Sequence, residues 1–155
     1  MRRLGTIETM AERYDLPLGN IPVEHREVPV FQNPRLRSAM GKARRRGDKQ
    51  WIELHRFLAR DPEKLKSTLA HEIAHVIAGI GSGHNAHWRR IAQSLGDTGN
   101  RCYTQAEGES IGIVRKTKLV AVCEGCGKEI HKARAYPRGR TYTHKGCGGN
   151  FRMIR

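Results

Sequence analysis

Long apolar runs are missing from this sequence. The stretch Val76 to Ile80 is far short of the ~20 residues that cross a bilayer as a helix, so an integral membrane protein is not expected. Residues Met1 to Glu8 start basic but lack an apolar core, so a secretory signal is not expected either. Aromatics are scarce at 6%, and apolar residues reach 37%, which suffices for a modest core. With 155 residues the chain fits one ordinary domain, or a catalytic domain with a small appendage. Acids are few as well: 15 Asp and Glu face 29 Lys and Arg, giving a formal charge of +14.

Only four cysteines are present, and they do not read as a disulfide scaffold. Cys102 stands alone and reads as a plain buried or partly buried thiol. Cys123, Cys126 and Cys147 sit among glycines and near histidines, a setting for metal or redox chemistry in a reducing compartment. The charge is uneven. Residues 1–50 hold 11 basic against 6 acidic side chains, residues 51–100 hold 6 against 5, and residues 101–155 hold 12 against 4. A basic excess of this size on so short a chain favours a nucleic-acid partner over mere solubilisation. The densest local cluster is Lys42 to Arg46, containing Arg44, Arg45 and Arg46.

Apolar residues at 7, 10, 11 and 14 predict a helix over Thr6 to Tyr14. Val28 to Phe31 reads as a short strand, and Pro29 suggests an edge position. Ser38 to Ala43 and Trp51 to Leu54 predict two more strands, joined as a hairpin by a turn over Arg44 to Lys49. The strongest start signal is Asp61-Pro62, an N-cap followed by proline at the first helical position. Leu65, Leu69, Ile73, Val76 and Ile77 then form one stripe, running to the glycines at 79, 81 and 83. A further helix is predicted from about Asn85 to Leu95, with Trp88, Ile91, Ala92 and Leu95 inward and Gly96 as its stop. Gly96 to Gly112 reads as loop or linker, and short strands punctuated by Cys and Gly follow from Lys116.

The long helix carries His71-Glu72-Ile73-Ala74-His75. Histidines four apart share a helix face one turn apart, so both can reach one cation at the ~2.0–2.1 Å of a Zn–N bond. Glu72, beside His71, can reach a metal-bound water, which is the general-base role. A catalytic zinc needs a third protein ligand. His84 and His87 both lie in the glycine-rich return that follows, and spacing alone does not choose between them. His25, His55 and His131 read as ordinary surface or core histidines.

A second constellation lies near the C-terminus. Cys123-Glu124-Gly125-Cys126-Gly127 is echoed by His144-Lys145-Gly146-Cys147-Gly148, giving C-x2-C-x17-H-x2-C. Each tight turn points two ligands at one metal, and the spacing falls within the range of four-ligand zinc sites. Four filled positions imply a closed, structural site without which so few residues would hardly fold. A redox CxxC is disfavoured because no βαβ pattern surrounds it.

With these residues in view, the chain resembles the SprT-like family of zinc metalloproteases, which includes the Spartan DNA–protein crosslink proteases. Asn33 to Gly41 and Trp51 to Leu54 resemble the family's first strands, Leu65 to His75 its active-site helix, and Gly83 to Trp88 its third-ligand turn. The C-terminal knuckles resemble the zinc ribbon of its bacterial SprT branch. The resemblance places the third ligand four residues before an aromatic, which selects His84 ahead of Trp88. Asn85 replaces a usual Gly, His87 a common acid and His144 a more usual Cys.

These readings together imply an α+β protein. A zincin-like core over residues 1–100, with helices packed on a short antiparallel sheet, would be followed by a linker over 101–116 and a β-rich zinc ribbon over 117–155. Two zinc ions are expected per chain. His71, His75 and His84 would hold a catalytic one and Cys123, Cys126, His144 and Cys147 a structural one. The implied activity is endoproteolysis of proteins bound or crosslinked to DNA. Arg44, Arg45, Arg46, Lys132, Arg134, Arg138 and Arg140 are the candidate DNA contacts. No membrane partner is expected, and the implied location is cytoplasmic and nucleoid-associated, or the host cytoplasm for a viral protein. Two rivals remain: a catalytically weak nucleic-acid-binding adaptor, which an intact Glu72 opposes, and a repressor-cleaving regulatory metalloprotease, which the ribbon and the Arg35 to Gly41 stretch oppose.

Overall fold

The computed structural model describes residues 1–100, 103–110, 112–113 and 116–154. Cys102 lies outside them. The fold is α+β, and the chain divides into two compact units, 1–114 and 115–155.

Unit 1 is built on a four-stranded sheet of order β1-β2-β4-β3, comprising Arg2–Thr6, Pro29–Asn33, Lys49–His55 and Gly41–Arg46 respectively. It is mixed rather than wholly antiparallel. β2 runs parallel to β4, because residues 34–40 carry the chain past the sheet and β3 takes the outer edge before β4 returns to the middle. β1 was not legible in the sequence: Arg2-Arg3-Leu4-Gly5-Thr6 has no alternating apolar pattern, and its place is set by backbone pairing to β2. That pairing makes β2 an inner strand and overturns the edge position suggested by Pro29. The proline sits at the first residue of the strand, where a missing N–H is tolerated. The hairpin is present, but Arg44 to Arg46 extend β3 instead of turning, and the reversal narrows to Gly47-Asp48.

The helices of the core pack on the face of the sheet that carries Val30, Ile52 and Leu54. α1 (Ile7–Arg13) is capped by Thr6 and buries Ile7, Met10 and Ala11. A single turn, α2 (Val23–Arg26), follows. α3 (Pro62–Ala78) begins as predicted: the Asp61 side chain accepts from the Lys64 N–H at 3.1 Å. It buries Leu65, Leu69, Ala70, Ile73, Ala74 and Val76. α4 (Ala86–Ser94) is capped by Asn85, whose side chain accepts from the Trp88 N–H at 2.9 Å. Trp88 is fully buried between α4 and α3.

Within the stretch expected as a linker over 101–116, the described residues 103–110 and 112–113 lie in unit 1. α5 (Gln105–Ser110) forms there, Tyr103 donates its hydroxyl to the Ser38 carbonyl at 2.7 Å, and Ile113 is buried in the core. The helix has no apolar stripe, so helical periodicity could not reveal it.

Unit 2 is a three-stranded antiparallel sheet of order β6-β5-β7, from Glu129–Lys132, Lys118–Cys123 and Phe151–Met153. Among its described residues Val120, Ala121 and Cys123 are buried. So little apolar burial would leave such a unit marginal without a further constraint.

Candidate metal centres

α3 places His71 and His75 one turn apart, as their spacing requires. The chain then leaves the helix through Gly79, Gly81 and Gly83, with φ of 94°, 114° and 67°. Such left-handed backbone strains any residue with a Cβ, so the glycines permit the tight return that brings His84 back over α3. His84 Nε2 lies 3.2 Å from His71 Nε2 and 3.2 Å from His75 Nε2. A tetrahedral ion with arms of ~2.05 Å separates its ligands by about 3.3 Å, so the three nitrogens fit one zinc. His87 is exposed on α4 and does not join them.

Trp88 is the floor of this cluster. Its ring lies 4.7 Å, 5.1 Å and 4.4 Å from those of His71, His75 and His84, stacked on His75 and edge-on to the others. Burial, with the neighbouring charges of His71 and His84, lowers the His75 pKa to about 4, so its ring is neutral and able to ligate at neutral pH.

Glu72, next to His71 on α3, also reaches β3, where its Oε2 accepts from the Ala43 N–H at 2.7 Å. Residue 41 must be glycine for this approach. A Cβ there would lie 2.7 Å from Glu72 Cγ and 2.8 Å from Thr68 Cγ2. Burial pushes the Glu72 pKa up to about 7, against the lowering influence of His71, the Ala43 N–H and Lys42. A carboxylate poised near neutrality suits a general base.

Sequence reasoning missed one carboxylate. Asp97, buried after α4, accepts from Ser67 Oγ at 3.0 Å and lies 3.2 Å from His71 Nδ1. Burial raises its pKa, but hydrogen bonds from His71 and Ser67 outweigh that and hold it below the usual range. An ionised carboxylate only accepts, so His71 carries its proton on Nδ1 and turns the Nε2 lone pair toward His75 and His84. Asp97 is the sole acid between Glu72 and Glu107, and this was the available signal.

In unit 2 the second ligand set also converges. Cys123 Sγ lies 3.4 Å from Cys147 Sγ, and His144 Nδ1 lies 3.3 Å from Cys126 Sγ and 3.2 Å from Cys147 Sγ. The three thiols are free, and four donors at these separations fit one tetrahedral zinc. Backbone N–H groups of the two knuckles surround the sulfurs. Although burial raises the Cys123 thiol, hydrogen bonds from Cys126, Cys147 and Gly125 bring it down to about 6.

The remaining histidines serve elsewhere. His55 accepts from the Phe57 N–H at 3.2 Å and caps a 3₁₀ turn, His131 pairs with Glu129 on the surface, and His25 lies in α2. Arg44, Arg45 and Arg46 are exposed on β3. Lys132, Arg134, Arg138 and Arg140 are exposed in unit 2, with Lys132 Nζ 3.9 Å above the Tyr136 ring. Tyr136 in turn packs 4.3 Å from Tyr142. Among the described residues no helix is long and apolar enough to cross a membrane.

The SprT-like family model matches residues 7–107, a span that holds His71, Glu72, His75, His84 and Asp97 and stops short of unit 2. No curated protein and no solved structure matches the chain.

Proposed function

The chain belongs to the SprT-like family and carries a domain of the zinc-metalloprotease type, and from that premise we propose that it is an endopeptidase acting on proteins associated with DNA. The observation that carries the reading is the meeting of three imidazole nitrogens within 3.2 Å steps beside one buried glutamate. His71, His75 and His84 would hold zinc, whose Lewis acidity would supply the polarisation of a peptide carbonyl. Glu72 would take the proton of the attacking water on Oε1, because Oε2 is held by the Ala43 N–H. It would then return that proton to the leaving amine nitrogen. Asp97 would fix the ring of His71 so that Nε2 stays directed at the ligand cage.

Cys123, Cys126, His144 and Cys147 would hold a second, structural zinc, whose binding energy would fold unit 2. DNA association rests on the charge of +14 and on the exposed cations of β3 and unit 2. In unit 2 the Tyr136–Tyr142 pair under Lys132 would add a stacking surface. The reading places the protein with DNA in the cytoplasm.

The test compares wild-type protein with Glu72→Gln on a basic DNA-binding substrate, with and without DNA, alongside zinc content. Cleavage stimulated by DNA and lost in Glu72→Gln, at two zinc ions per chain in both, is the expected result. Equal cleavage by the variant would remove the enzyme reading and leave a nucleic-acid adaptor.

A further inference from the structure

The face of the first sheet that turns away from the helices has a composition of its own. Strand alternation puts Val30, Ile52 and Leu54 in the core, and their neighbours Phe31, Trp51 and Glu53 on the opposite side. Hydrogen bonds confirm the assignment: Glu53 accepts from Trp51 Nε1 at 2.9 Å and from Asn33 Nδ2 at 2.8 Å. Arg44, directly opposite Trp51, brings its Nε within 3.9 Å of Glu53. Arg3 lies opposite Phe31, and Arg46 opposite Lys49, on the same face. Arg3, Arg44, Arg46 and Lys49 are exposed, while Phe31 and Trp51 are half-buried.

We propose that this face docks single-stranded nucleic acid, with bases stacked on Trp51 and Phe31 and phosphates held by Arg3, Arg44, Arg46 and Lys49. Three features support that occupant. Cations flank the aromatics, with Arg3 opposite Phe31 on one side and Arg44 opposite Trp51 on the other, an arrangement that lets a strand lay its bases inward and its backbone outward. The acid among them, Glu53, is held in place by Asn33 and Trp51 and offset by Arg44 at 3.9 Å, so the face stays net positive through Arg3, Arg46 and Lys49. A cavity of about 470 Å³, lined by Met1, Asn33, Pro34, Arg35 and Glu53, opens at the end of the same face and offers room for a base that leaves the stack. A duplex keeps its bases stacked on each other and gains only the cations. The surface therefore prefers the single strand.

The inference extends the DNA association proposed above to a named surface, and its test involves no proteolysis, so failure of the enzyme reading would leave it intact. The probe is a mixed-sequence oligonucleotide, single-stranded or annealed to its complement, titrated into the full chain. Anisotropy reports affinity, and tryptophan emission reports stacking, because Trp88 is fully buried and only Trp51 can meet a base. The single strand should quench the emission. Trp51→Phe should abolish quenching yet hold affinity within about threefold, since a π-face remains. Phe31→Ala should weaken binding by roughly fivefold or more, the loss of one stacked base. Combined Arg3→Gln, Arg44→Gln and Arg46→Gln should flatten the salt dependence by about 0.7 in slope for each phosphate no longer neutralised. Quenching that persists in Trp51→Phe overturns the proposal. So does duplex binding as tight as the single strand with no quenching. Loss of all binding in Arg138→Gln with Arg140→Gln, while the sheet variants change nothing, would move the nucleic acid to unit 2 and also overturn it.

Discussion

Replacing Glu72 by Gln separates two consequences of one burial. Glu72 is almost fully buried, and its pKa rises from 4.5 to about 7 through desolvation. Without metal, the folded state holds a proton that the unfolded chain releases between those values. The stability this contributes is present below pH 4.5 and is lost as pH rises through about 7. A shift of about 2.5 units corresponds to about 3 kcal/mol at ~1.36 kcal/mol per unit. His75 works in the other direction. Its pKa falls from 6.5 to about 4 by burial, so its contribution is present above 6.5 and is lost as pH falls. The two slopes oppose each other across the same window, and the chelated wild-type protein should show little net pH dependence from this pair. Glu72→Gln removes one slope and leaves the other. Urea unfolding of chelated wild type and variant across pH 4.5 to about 7 should show the variant gaining about 3 kcal/mol relative to wild type. A wild-type-minus-variant difference that is flat with pH would refute the desolvation argument. In the zinc-loaded protein the same change should lower proteolysis by ~10²–10⁴-fold, the usual loss for a positioned base.

Asp97→Asn should weaken zinc binding at His71, His75 and His84 by about 10–100-fold in a chelator competition, because the amide no longer imposes the Nδ1–H tautomer of His71; unaltered affinity would remove Asp97 from the site. Gly41→Ala should destabilise unit 1 by about 1–3 kcal/mol and depress activity further than stability alone explains, since the new Cβ meets Glu72 Cγ at 2.7 Å. Thermal melting with assays well below the midpoint would expose a variant that keeps full activity, and with it an error in that packing. Cys126→Ser should lower zinc content to one per chain and free the amides of β5, β6 and β7 to exchange, while those of α3 stay protected. Loss of protection in α3 would mean that the two units fold as one.

Much of the site was legible because its parts are local. Histidines at i and i+4 share a face on any α-helix, and Asp61-Pro62 marks where α3 starts. The knuckles at Cys123–Cys126 and His144–Cys147 likewise encode their own turns. The sheet was harder to read. Backbone bonds hold β1 whatever its side chains, and Pro29 looked like an edge residue only because its strand's neighbours were unknown. α5 buries itself through flanking Tyr103 and Ile113 rather than through a stripe of its own.

Residue types and short-range geometry could be read directly from the chain: which histidines share a turn, which acid sits beside them, and which four ligands pair into two knuckles. Spacing left His84 and His87 open and the family resemblance chose His84, whose Nε2 the fold then brings to 3.2 Å from His71; that Asp97 lies beside His71 and that the Ala43 N–H holds Glu72 came from packing alone. Periodicity fixes the angle between residues a few positions apart. It carries no information about closing the 26-position separation from His71 to Asp97, or about how near an edge strand comes to a helix. Those distances follow from packing, here from Trp88 filling the floor of the cluster and from the missing Cβ at Gly41.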